Sequence, residues 1–192
     1  MRARRLSRIV GWSVLCAGLA AAASGAAAAW PQAADDESAA VRAFTERVDR
    51  YASLRSRLAE PLPPTDARRS SWSMLLTRRY LASAIRAARR TAAPGEVFTP
   101  AVADVFRRRI GEAIYEVDVE GLDDRDREPV VDVVVNEPLP VWALDPVPSA
   151  IADRLPELAG GLAYRLVNGA LVLWDVDAEI VVDVLPDAFA AR

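Results

Sequence analysis

Residues 162–185 are rich in aliphatic, β-branched and aromatic side chains around an Asn168-Gly169 pair, and this stretch constrains the fold more than any other part of the chain. Asn-Gly accepts positive φ at both central positions of a turn, which selects a two-residue type I′ hairpin between strands over 162–167 and 170–176. The register follows from the turn: Leu166 opposes Leu171, and Tyr164 opposes Leu173. A second reversal near Asp177-Ala178 leads into a strand over 179–185, which Pro186 ends. With two residues in that second turn, Tyr164, Leu166, Leu171, Leu173, Val182 and Val184 make one apolar face that needs a cover. The opposite face carries Arg165, Val167, Val172, Trp174, Val181, Glu179 and Asp183. It is mixed, and Arg165 and Asp183 are placed to pair across Val172. A β-branched run over 130–135 predicts one further strand.

The cover comes from the N-terminal half. Val41, Phe44, Val48, Tyr51, Leu54 and Leu58 recur at three- and four-residue steps, which predicts a helix over 38–59 with Ser38 as N-cap. Pro61-Leu62-Pro63-Pro64 ends it. A second helix is predicted over 67–91, with Asp66 as N-cap and Trp72, Leu75, Leu76, Ala82 and Ile85 on its buried side; Pro94-Gly95 stops it. Thr99-Pro100 opens a third, whose stripe is Val102, Val105, Phe106, Ile110, Ile114 and Val117. Pro138, Pro140, Pro146 and Pro148 keep the next segment extended, apart from a short helix near 149–155. The expected class is α+β. An N-terminal helical hairpin or three-helix bundle (34–120) packs on a C-terminal part (121–192) made of an extended segment and a small antiparallel β-meander of three to four strands. The whole of 34–192 forms one domain.

The N-terminus reads as an export leader. Arg2, Arg4, Arg5 and Arg8 precede an uncharged stretch over 9–29, and Ala27-Ala28-Ala29 offers a small-residue cleavage site, so 1–33 is expected to be a cleaved signal peptide. The alternative expectation is an uncleaved inner-membrane anchor, because about 20 apolar residues span a bilayer. Either way the domain is exported, to the periplasm or the extracellular space. Beyond the leader there is no Cys, no His and no Lys: the one Cys is Cys16, and all 24 positive side chains are Arg. No disulfide then supports the domain, and its stability falls to apolar burial. The same gap removes ordinary zinc and haem ligation, Schiff-base chemistry, P-loop phosphate binding and Ser-His or Ser-Lys hydrolysis. No cofactor and no metal site is expected.

Several segments carry a resemblance. They are Ala84-Ile85-Arg86-Ala87-Ala88-Arg89, Pro94-Gly95-Glu96-Val97-Phe98-Thr99-Pro100, Tyr164-Arg165-Leu166-Val167 and the stretch DVDAEIVVDVLPDAF over 175–189. In these the chain resembles a family of exported bacterial proteins without an assigned activity. The resemblance implies export and implies that helices and meander form one unit. It implies no site residue.

Charge is divided unevenly. Over 66–109 there are ten Arg against three acids, a net of about +7, and over 112–187 eighteen acids stand against four Arg, a net of about −14. Internal complementarity of basic helices with an acidic sheet accounts for such a split. A sharper reading makes Arg78, Arg79, Arg86, Arg89, Arg90 and Arg107, Arg108 and Arg109 a patch for an anionic partner: lipid headgroups, a glycan or an acidic protein surface. Nucleic acid is excluded as a partner by export, the overall acidic charge and the lack of a recognisable motif. Asp123, Asp124, Asp126 and Glu128 form an acidic loop whose spacing matches no standard calcium loop, and Arg125 and Arg127 interrupt it. Asp175, Asp177, Glu179 and Asp183 are the carboxylates from which a glycosidase pair would have to come.

The function expected is that of a non-enzymatic cell-envelope binding or interaction protein. Its candidate binding residues are Arg86, Arg89, Arg90, Arg107 and Arg108 on the helices, with Arg165, Trp174 and Asp183 on the mixed face of the sheet. Two alternatives stay open. One is a carboxylate-based glycan hydrolase or cation-dependent envelope enzyme. The other is a self-associating structural subunit that sets the basic half of one copy against the acidic half of another.

Overall fold

The computed structural model describes residues 29–63, 70–114 and 130–189, with only the backbone of 29–32. Helix α1 (Ala29–Ala59) is followed by α2 (Ser71–Ala88) and α3 (Pro100–Ile114). A 3-10 turn at Val141–Ala143, the short strand β1 (Asp145–Pro146) and the single-turn helix α4 (Ser149–Ala152) lead into β2 (Leu162–Val167), β3 (Ala170–Asp175) and β4 (Ile180–Leu185). The four strands form one antiparallel sheet in the order β1-β2-β3-β4. This is the α+β arrangement expected from the sequence: helices first, then the sheet.

The hairpin forms as its turn residues dictate. Asn168 has φ 49° and Gly169 φ 77°, and Leu166 faces Leu171 while Tyr164 faces Leu173. The next reversal differs from expectation. The chain turns over four residues, 176–179, because the Asp175 carboxylate accepts the Asp177 and Ala178 amides through Oδ1 and organises the turn. Glu179 takes φ 53° to complete it. The β3–β4 ladder then slips: Trp174 pairs with Val181 and Leu173 with Asp183, which leaves Val182 as the extra residue of a β-bulge. Val182 stays on the helix side, Asp183 joins it there, and Val184 moves to the opposite face. Arg165 and Asp183 therefore do not meet across Val172.

Helices α1 and α3 lie on one face of the sheet. Phe44, Phe98, Phe106 and Tyr164 meet there, with Phe44 and Phe106 ring centres 4.8 Å apart and Phe106 and Tyr164 6.4 Å apart. Each such aromatic pair adds about 0.5–1.5 kcal/mol beyond its burial. Ile85, Val102, Ile110, Leu171, Leu173, Ile180 and Val182 complete this core. Every residue of β3 and β4 is buried, which requires cover on the second face too. The cover is the segment over 131–144, whose Val131, Val133, Leu139 and Leu144 close over Val167, Val172, Trp174, Val181 and Val184.

Three local expectations are corrected. Residues 130–135 form no strand: the chain turns at Val135-Asn136, where Asn136 sits at φ 68° and its amide bonds to Val181 O at 2.8 Å. Val131 and Val133 of this run pack over the sheet without pairing as a strand, while Val130 and Val134 face out. Ser38 lies inside α1 and caps nothing, and α2 is capped by Ser70, whose Oγ accepts the Ser73 amide at 3.2 Å. Residue 66 is outside the described residues. Trp72, placed on the buried side of the second helix by its spacing, is 65% exposed. The core-facing side of α2 runs through Thr77, Leu81, Ala82 and Ile85 instead.

Candidate functional site

Between 70 and 91 the sequence has Arg78, Arg79, Arg86, Arg89 and Arg90 and no acid at all. The structure gives these arginines two kinds of work. Arg89, the C-cap of α2, is 8% exposed and its guanidinium reaches Asn136 Oδ1 at 3.1 Å, Glu96 Oε2 at 2.8 Å and Val182 O at 3.1 Å. Its charge also sits 5.1 Å from the centre of the Tyr51 ring. Asn136 returns a bond from Nδ2 to Arg89 O at 2.8 Å, and Arg86 Nε donates to Asn136 O at 2.9 Å. Arg86 and Arg89 thereby clasp the covering segment to the outer edge of β4.

Asp183 completes the clasp from the sheet. It has no exposure, and its carboxylate accepts the Gly95, Val97 and Phe98 amides at 2.9, 2.6 and 2.8 Å. A carboxylate that ties three amides of one loop satisfies donors that would otherwise be costly to bury. Asp175 does the same for the following turn. It also accepts the Tyr51 hydroxyl at 2.8 Å, and Arg55 Nε lies 3.0 Å from it, too poorly aligned for a hydrogen bond but close enough for ionic attraction. Arg55 reaches Asp177 with its other end, and Arg78 pairs with Glu179. Burial, and then the Asp175 charge, push the Tyr51 phenol well above its ordinary value of 10.0. The four meander carboxylates are thus engaged in turns and clasps.

The remaining expected residues fall apart in space. Arg107 donates to Pro186 O at 3.0 Å. Arg108 and Arg109 hold Glu37 of α1; the Arg109 hydrogen bond, against burial, and then Arg108 keep its carboxyl below the ordinary glutamate range. Arg165 bonds to its neighbour's carbonyl, Tyr164 O, at 2.9 Å. Trp174 is 5% exposed under the covering segment and presents no surface to a partner. Arg86, Arg89 and Asp183 belong to one cluster, Arg107 and Arg108 to another, and Arg165 and Trp174 to neither.

What stays open is the outer side of α2. Arg90 and Arg79 are exposed and make no ion pair or hydrogen bond with described residues. Beside them runs a groove of about 470 Å³, formed by Leu75, Arg78, Arg79, Ala82 and Arg86 on α2 and by Pro138, Ala178 and Glu179 opposite. Tyr80, 64% exposed, and Trp72 flank the same helix. The expected basic patch includes Arg79, but not the exposed Trp72 and Tyr80 on the same helix. The signal for them was an acid-free helix with more apolar residues than one buried side needs.

Among the described residues no group of three or more His, Cys, Asp or Glu side chains is arranged to hold a metal ion. The acidic loop over 123–128 lies outside the described residues. No helix among the described residues is long and apolar enough to cross a membrane. No family model matches the chain. No curated protein matches it, and no solved structure does. The functional reading therefore comes from this chain's own geometry.

Proposed function

We propose that the protein is an exported, non-enzymatic binding module of the cell envelope that holds an anionic partner against the outer side of α2. The observation that carries this reading is the pairing of opposites around the helix. Arg86 and Arg89 are spent on the fold, while Arg79 stands exposed in the wall of the groove and Arg90 stands exposed just past the end of α2. Exposed arginines that no carboxylate engages attract anions and bind carboxylate or phosphate through their planar fork, and the one carboxylate lining this groove, Glu179, is paired with Arg78. The basic leader and its Ala-rich end support export.

The test is charge reversal where the fold does not need the charge. Arg79→Glu combined with Arg90→Glu should leave thermal unfolding within a few degrees of wild type. It should also abolish salt-sensitive retention of envelope material in crosslinking from intact cells. Undiminished retention at low salt would overturn the reading.

A further inference from the structure

We infer that the anionic partner of α2 is a phospholipid surface, so that the domain sits peripherally on a membrane with α2 against the headgroups. This rests on the reading above and names its ligand. Trp72, Leu76, Tyr80, Ser83 and Ala87 follow one another at steps of three and four, which lines them along one side of α2, away from the buried Leu81 and Ile85. The first three are large and apolar or aromatic, and the small, exposed Ser83 and Ala87 continue the side without charge. The two aromatics are about two-thirds exposed, Trp72 at 65% and Tyr80 at 64%. Large rings are seldom left in water without reason, and Trp and Tyr suit the boundary where an apolar body meets a polar tip. Arg79 and Arg86 border the stripe by helical position, Arg90 follows just past the end of α2, and no acid occurs over 70–91. A helix with Trp and Leu on one side and only positive charge beside them has the composition of an interfacial helix.

The shape agrees. Trp72 and Tyr80 are exposed and do not line the groove, so an extended surface can meet both while the groove stays open beside them. The groove alongside then gives a headgroup phosphate a place at Arg79, which lines it and has no partner among the described residues. The acidic balance of the chain does not oppose this contact. Glu96, Asp177 and Glu179 are already tied by Arg89, Arg55 and Arg78, and charge beyond about 10 Å is screened at ordinary salt.

The experiment is vesicle sedimentation of the exported protein with phosphatidylglycerol–phosphatidylcholine vesicles and with phosphatidylcholine vesicles alone. Wild type should sediment with the anionic vesicles at about 0.1 M salt and be released at about 1 M. Arg79→Glu/Arg90→Glu, and separately Trp72→Ala/Tyr80→Ala, should each weaken binding about tenfold or more, with the far-ultraviolet spectrum unchanged. The N-terminus is the same in all three proteins, so a retained leader cannot produce the difference. Equal binding to neutral vesicles, no binding to anionic ones, or variants that bind like wild type would overturn the lipid inference. A fourth arm uses poly-glutamate. If it binds wild type and not the arginine variant while vesicles do not bind, the anionic-partner reading stands and the lipid inference falls. If neither binds and retention of envelope material is also unchanged in the variant, both fall.

Discussion

The Tyr51 hydroxyl donates a 2.8 Å hydrogen bond to Asp175 Oδ2 across 124 positions of sequence, with Tyr51 5% exposed and Asp175 fully closed to solvent. One bond thus joins the C-terminal third of α1 to the last residue of β3. It also fixes the carboxylate that organises the turn into β4, and so the bulge that delivers Asp183 to the loop over 95–98. The helical half and the sheet are locked by polar contacts at the same edge where the arginines cluster.

Tyr51→Phe should cost about 1–3 kcal/mol, since it strips a bond from a buried charged acceptor without opening a cavity. The folded state holds this phenol neutral well past its ordinary value of 10.0, with burial the leading cause. Its contribution is therefore fully present below pH 10 and is lost as pH rises beyond it, when the unfolded chain ionises and the folded one resists. Denaturant midpoints measured upward from neutral pH should fall less steeply above pH 10 in Tyr51→Phe than in wild type. Parallel curves would contradict the coupling.

Gly161 and Arg55 should behave as one unit. Gly161 has φ 83°, and a Cβ there would meet Arg55 Nη2 at 2.6 Å. Gly161→Ala has to strain the backbone and also push Arg55 off Asp175 and Asp177. In an Arg55→Ala background only the backbone strain remains, about 1–2 kcal/mol. A double-mutant cycle should show the two substitutions together costing less than their sum; strict additivity would mean that Arg55 moves aside freely.

The type I′ turn, its register and the third helix were legible because each depends on neighbours in sequence: Asn168 beside Gly169, Thr99 beside Pro100. The bulge at Val182 was not, because it depends on Asp175 reaching two amides of the next turn rather than on the apolar pattern of β4. Nor was the fate of the 130–135 run, whose valines suit a strand but whose neighbour Asn136 is seized by Arg89 and Arg86. At the candidate site, spacing alone put Trp72 inside, since α2 carries two apolar sides and only tertiary packing decides which one the core takes. The charge split was visible in sequence, but which arginines it leaves unspent was not.

Asp183→Ala should be among the most destabilising substitutions in the chain. It leaves the Gly95, Val97 and Phe98 amides without their shared acceptor in a closed site, a loss of about 3–5 kcal/mol. At about 2–4 °C per kcal/mol for a domain of this size, the melting temperature should drop by roughly 10 °C. Asp183→Asn keeps an acceptor and the shape, so it should recover part of the loss. A variant melting within about 2 °C of wild type would show that the loop over 95–98 holds itself.

Arg89 and Arg90 are adjacent, identical in type and indistinguishable by local composition, yet the structure gives their reversal opposite outcomes. Arg89→Glu would bury a carboxylate at 8% exposure against Glu96, Val182 O and the ring face of Tyr51, all of which repel it. Uncompensated buried charge costs several kcal/mol, so the protein should unfold cooperatively at much lower temperature or fail to accumulate. Arg90→Glu changes an exposed side chain with no partner among the described residues, and surface substitutions of that kind stay within about 0.5 kcal/mol. Its effect should appear only in binding. Calorimetry on the two variants decides the point: equal melting temperatures would mean that Arg89 is not clasped as described, and a collapse of Arg90→Glu would mean that the outer side of α2 serves stability rather than a partner.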